Sequence, residues 1–187
     1  MNKYILTKDE VKTLLKITDN NSDDAIDALL PILTAQITTY CKNKFTSGIV
    51  TLTSSELTFS ASGKTITGVS DDNFEDVYFY ADDIILIENS VRNNDYKTIK
   101  TVADNVITIA DAESLKDEAS SYTITISRVD YPDDLKLVIS EMVKGGINTQ
   151  TSGNVSSFSL ADYSVSYFDS GLSTSSRSIL NLHRKLF

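Results

Sequence analysis

With one cysteine, Cys41, the chain cannot form an internal disulfide, so its order must come from packing, and the sequence suits a reducing cytoplasm. Tryptophan is absent and histidine occurs once, which removes the usual platform for a sugar ring and most histidine-based chemistry. Proline and glycine are few, at 2 and 7. No apolar run approaches the roughly 20 residues that cross a bilayer, which predicts a chain that does not span a membrane. The opening, Met1 to Glu10, has no long apolar stretch and no small-residue cleavage site, which predicts no secretory leader. Basic residues are in short supply as well, 17 against 26 acids.

What is present is ordinary globular material. Of the 187 residues 41% are hydrophobic and 23% charged, usage that excludes wholesale disorder. The length fits one domain, or a core domain carrying one insertion. Ser and Thr fill roughly a quarter of the chain, with 9 Tyr and 7 Phe, a mix that favours strands over an all-helical design. The net charge of −9 is unevenly placed. Residues 1–45 and 131–187 are each balanced, whereas residues 46–130 hold fifteen acids against six bases and account for the whole deficit. Such a surface repels phosphate and disfavours tight or sequence-reading nucleic-acid binding. It still permits DNA to pass without sticking.

Periodicity divides the chain. Thr7-Lys8-Asp9-Glu10 is a capping box opening a short helix with Val11, Leu14 and Leu15 on its apolar stripe. A turn at Thr18–Asn21 precedes a longer helix from Ser22 or Asp23, with Ile26, Leu29, Leu30, Leu33, Ile37, Tyr40 and Cys41 at spacings of three and four. Pro31 inside it predicts a kink, and the helix should end by Phe45. From Thr46 the period becomes two. Strands are predicted around Ile49–Leu52, Glu56–Phe59, Thr65–Thr67, Val77–Tyr80, Asp83–Ile87, Tyr96–Ile99, Val106–Ile109 and Tyr122–Ile126, with turns every ten residues or so. That pattern predicts an antiparallel barrel or sandwich-like region. Helix returns near Pro132 with Leu135, Val138, Ile139, Met142 and Val143 as the buried face, weakened at Gly145-Gly146. A polar loop, Thr149–Ser157, leads to an extended arm, Phe158–Phe168, and a final short helix in Thr174–Phe187.

Motifs with chemical content are thin. His183 lies four residues from the end, a poor place for a general base that must be held rigidly. Ser62-Gly63-Lys64-Thr65 imitates the end of a phosphate-binding loop, but Thr58 replaces its first glycine and strand follows where helix is needed; a hairpin turn is predicted. Asp19, Asn21 and Asp23 imitate a calcium loop without its glycine or its twelfth-position glutamate. Asp71-Asp72, Glu75-Asp76 and Asp82-Asp83 supply carboxylate pairs of the kind a glycosidase uses, yet acidic pairs are common in turns.

The order of elements carries more. The helices ending Tyr40-Cys41-Lys42-Asn43-Lys44-Phe45, the β region, the helix opened by Tyr131-Pro132-Asp133-Asp134-Leu135-Lys136, the segment Ser157–Tyr167 and the closing Ile179-Leu180-Asn181-Leu182-His183-Arg184-Lys185-Leu186 resemble those of phage head–tail connector (adaptor, head-completion) proteins. The stretch from Asp83 to Ile99 is similar to a β module of connectors from phages of Gram-positive hosts. The β region is larger than in the smaller members of that family. The resemblance implies an α+β fold. Its small helical bundle, from 1–45 and 131–150, carries an inserted β-rich region, 46–130, and an extended arm with a short helix, 151–187.

It implies a structural virion protein, not an enzyme, with no cofactor and no bound metal. Copies would form a dodecameric ring in the neck beneath the portal protein. The ring would extend the channel for double-stranded DNA and meet a head-closure (stopper) or tail-completion protein, and it would be assembled in the host cytoplasm. Docking onto portal or a neighbouring copy would fall to Arg177, Ile179, Leu180, Leu182, Arg184, Lys185, Leu186 and Phe187. The apolar members would act as anchors and the basic ones would steer towards an acidic partner. The competing arrangement folds this helix back on its own subunit. The alternative function is a β-rich module that binds a ligand or carbohydrate on a phage particle.

Overall fold

The structure, a computed structural model, describes residues 4–69, 72–119, 122–151 and 172–185, the side chains of 148–151 excepted. Its described residues are α+β, with four helices and one antiparallel eight-stranded sheet, in two compact units. Of the described residues, one unit holds those of Phe45–Asp130 and the other combines Tyr4–Lys44 with those from Tyr131 onward.

In the β unit the strands are β1 (Thr46–Ser54), β2 (Thr58–Ser60), β3 (Thr65–Thr67), β4 (Ile84–Glu88), β5 (Tyr96–Ala103), β6 (Val106–Ile109), β7 (Glu118–Ala119) and β8 (Ile124–Val129). Their order is β1-β8-β4-β5-β6-β3-β2-β7. The first and last strands pair, Thr46 opposite Val129, and Asp130 N–H donates to Phe45 C=O at 2.8 Å. Chain therefore leaves and rejoins the rest of the molecule at one spot, the geometry an inserted unit needs.

Alternation places Val50, Phe59, Ile66, Ile85, Ile87, Ile99, Ile107, Ile109, Ile124 and Ile126 in one core cluster. The expected barrel does not close: β1 and β7 are left as edges. Two features explain this. The first half of β1 is bulged, with register lost between Thr46 and Thr51, and β7 has only two residues. A bulge and a very short strand both blunt an edge. Phe74, Phe79 and Leu115, all from loops, complete the core instead of further strand residues.

The strand expected at Val77–Tyr80 does not form, and residues 74–78 make a turn instead. Asn73 Oδ1 accepts from the amides of Glu75 and Asp76 at 3.0 and 3.3 Å, and Tyr78 N–H donates to Glu75 C=O. This side-chain-led turn outcompetes the local strand preference. Ser62 to Lys64 forms the expected hairpin turn between β2 and β3.

In the helical unit α1 (Lys8–Leu15) has both halves of its capping box, Thr7 with Glu10. The second helix, α2 (Asp23–Cys41), runs through Pro31 and stops where Lys42 turns left-handed at φ 49°. Next comes α3 (Leu135–Thr151), which starts after a turn in which Leu135 N–H donates to Pro132 C=O. It continues past Gly145-Gly146 into the region expected to be loop. Gly146 is buried, so packing overrides its weak helical preference. Finally α4 (Thr174–His183) is the expected short helix. The arm expected at Phe158–Phe168 lies outside the described residues. Ile26, Leu29, Leu33, Ile37, Leu135, Ile139, Met142 and Leu180 form the buried interior. No helix among the described residues is long and apolar enough to cross a membrane.

Candidate docking site at the end of the helical unit

The docking residues expected from sequence sit on or just after α4, so what holds that helix decides what they can do. Its first turn is capped by Ser173, whose Oγ accepts from Ser176 N–H at 3.2 Å. From α3, the Glu141 carboxylate accepts from Ser173 N–H at 2.8 Å, from Ser173 Oγ at 2.9 Å and from Ser176 Oγ. Burial alone would raise the Glu141 pKa, but these donors, Ser176 first, outweigh it and hold the group below the usual carboxylate range.

At the other end of α4, His183 Nε2 lies 2.8 and 2.9 Å from the two carboxylate oxygens of Asp134. The backbone then fastens to α2. Lys185 N–H donates to Cys41 C=O at 2.9 Å, and Asn43 Nδ2 donates to His183 C=O at 3.4 Å. The Arg184 guanidinium stands 5.4 Å from the centroid of the Tyr40 ring, and Tyr40 OH bonds Asn181 Oδ1 at 3.1 Å.

Helix α4 is thus folded back on its own unit. Leu180, 1% exposed, belongs to that unit's core and Ile179 is half-buried. Leu182 is 76% exposed, and Arg177, Arg184 and Lys185 are exposed as well. Leu186 and Phe187 lie outside the described residues. The expected residues therefore separate into core (Leu180) and surface (Leu182 and the three cations). Sequence reasoning missed Tyr40, Asn43, Glu141 and Asp134 as the groups that position them. The only local signal was Ser173 three residues before Ser176, a serine N-cap pattern.

Cys41, fully buried, donates Sγ–H to Leu180 C=O at 3.5 Å. Burial pushes its thiol up from an ordinary 9.0 to about 11, the Arg184 charge opposing only in part. At pH 8 the native thiol is expected to react with a disulfide reagent at least about 100-fold more slowly than in the urea-unfolded chain, since the thiolate is the nucleophile. Comparable rates in the two states would show that α4 does not cover it.

Elsewhere the carboxylates singled out in the sequence are structural or solvated, apart from Asp71, which lies outside the described residues. Asp72 Oδ2 accepts from Ser54 Oγ at 2.7 Å and Val69 N–H at 3.2 Å; Glu75, Asp76 and Asp82 are exposed. Asp83 accepts from Tyr80 N–H at 2.9 Å. Its pKa is raised, chiefly by burial, against the pull of that amide and of Arg128. Arg128 is itself held by a two-pronged pair with Asp130, at 2.9 and 3.2 Å. Asp19 Oδ1 caps Asn21 N–H, and Asp23 pairs with Lys12, so the calcium-like run serves the turn and the helix. Among the described residues no group of three His, Cys, Asp or Glu side chains converges as metal ligands would. A cleft of about 480 Å³ in the helical unit is lined by Leu14, Leu15, Ile17 and Ile147 with Lys16 and Lys144.

Neither the known protein-family models nor the curated proteins contain a match to this chain.

Proposed function

We propose that the protein is a structural, non-enzymatic subunit of a tailed-phage virion, a head–tail connector that forms a ring below the portal. In this reading a dodecameric ring in the neck extends the DNA channel and hands on to a stopper or tail-completion protein. It needs no cofactor. Double-stranded DNA passes it without sequence recognition, in keeping with the net charge of −9.

The observation that carries the reading is the division of the chain. Described residues before Phe45 and after Asp130 build one helical unit, and the β unit between them leaves and returns at paired strands. The helical unit presents an exposed apolar side chain, Leu182 on α4, followed by the exposed cations Arg184 and Lys185. Rings grow from heterologous surfaces of this kind, one face of each subunit meeting a different face of the next.

Native mass spectrometry and negative-stain microscopy of the purified chain, alone and with portal protein, are expected to show closed multimers. A monomer under every condition, portal included, would remove the reading. A second reading, a carbohydrate-binding module, has the exposed Tyr78 and Tyr80 rings in its favour. Saturable binding to a glycan array by the full chain, lost on replacing both tyrosines, would support it over the first.

A further inference from the structure

We infer that the basic end of the helical unit is a docking face for the acidic, tyrosine-bearing loop 75–83 of a second copy of this chain. The inference rests on the ring reading and deepens it by naming the two surfaces that would meet.

The first surface is where α2 and α4 end together. Arg184 and Lys185 follow α4, and both are exposed. The bonds from Lys185 N–H to Cys41 and from Asn43 to His183 hold these two chain ends side by side. Arg184 and Lys185 thus follow the exposed Leu182 within three residues of chain. A leucine 76% exposed and followed at once by two exposed cations asks for a partner that is both apolar and anionic.

The β unit offers such a partner. Residues 65–91 contain no lysine or arginine. Phe74 and Phe79 are fully buried with their rings edge-to-face at 6.2 Å, and they pin the loop to the core. That anchoring leaves Tyr78 and Tyr80 outside, at 61% and 57% exposure, between the exposed carboxylates of Glu75, Asp76 and Asp82. Tyr78 is held at φ 66°, a conformation an aromatic residue seldom adopts. Tyrosine faces attract Arg and Lys while covering aliphatic groups. Every copy carries both surfaces, so the contact is head-to-tail and propagates round a ring.

Nucleic acid is the weaker fit to the basic end. Phosphates would satisfy the cations but leave Leu182 uncovered, and the acidic β unit would oppose them.

The test uses the full chain and two charge reversals, Arg184→Glu with Lys185→Glu, and Glu75→Lys with Asp76→Lys. All four positions are exposed, so far-UV circular dichroism should be unchanged. Sedimentation and native mass spectrometry are expected to show wild-type multimers that weaken with salt. Each reversal alone should weaken association at least about tenfold, as like charges then face each other. An equimolar mixture of the two should reassemble, with copies alternating, because both junctions are again of opposite charge.

Reversed proteins that assemble like wild type, or a mixture that stays dissociated, would overturn the surface and leave the ring reading standing. Wild-type protein that binds a random DNA duplex through Arg184 and Lys185, with assembly indifferent to their reversal, would assign the basic end to phosphate instead. Wild-type protein that never assembles, portal included, would end both.

Discussion

Replacing Phe79 with alanine is expected to destabilise the β unit by about 3–5 kcal/mol, the range for emptying a fully packed aromatic site. Phe79 is 1% exposed and Phe74 is completely buried. Their edge-to-face contact at 6.2 Å and 64° is the junction between loop 72–83 and the strands. The substitution removes a ring from a core whose barrel is not closed by a ladder, so no neighbouring strand can slide in to fill the space. Urea unfolding followed by circular dichroism measures the effect. Tyr80→Ala, next in sequence but exposed, should stay within about 0.5 kcal/mol. Equal effects from the two would mean that Phe79 does not anchor the loop.

Glu118→Ala is the second large effect, about 3–4 kcal/mol, from removing an anion that several donors surround. Its carboxylate accepts from Ser90 Oγ at 2.6 Å, Val91 N–H at 2.9 Å, Arg92 N–H at 3.0 Å and Asn93 Nδ2 at 2.9 Å. Ser90 and Asn93 are buried, so their freed donors would not all find water. The network joins the β4–β5 loop to β7 and stands where a longer ladder would otherwise be. Burial raises the Glu118 pKa, yet these donors, Ser90 first, more than reverse that, and the group is held below its ordinary 4.5.

The sign of the pH dependence follows. A carboxylate with a lowered folded pKa contributes stability that is present above the ordinary value and lost as pH falls through the folded one. The stability gap between wild type and Glu118→Ala should therefore be full at pH 7 and narrow as the pH falls below the ordinary 4.5. A gap that does not change across that range would show that the charge is not what holds the loop.

Pairings within four residues are legible in the amino-acid order. Thr7 with Glu10 caps α1, the three-and-four spacing of Ile26 through Cys41 carries α2 through Pro31, and Ser62 to Lys64 turns the β2–β3 hairpin. Alternation locates most strands for the same reason, since a strand's two faces are written in adjacent residues. It fails at Val77–Tyr80, where Asn73 offers the backbone a competing turn, and at Glu118–Ala119, two residues being too few to show a period.

The sequence by itself determined the helix and strand segments, the antiparallel character of the β region and the confinement of excess acid to it. Tertiary structure alone decided the strand order, the open edges, and which surfaces remain for a partner. Ser90 meets Glu118 across 28 residues, His183 meets Asp134 across 49, and Cys41 meets Leu180 across 139. Contacts so distant leave no local pattern, because many partners of the same chemistry would satisfy each group. Only the packing of whole elements selects one, and that selection buried Leu180 while leaving Leu182, two residues on, in solvent.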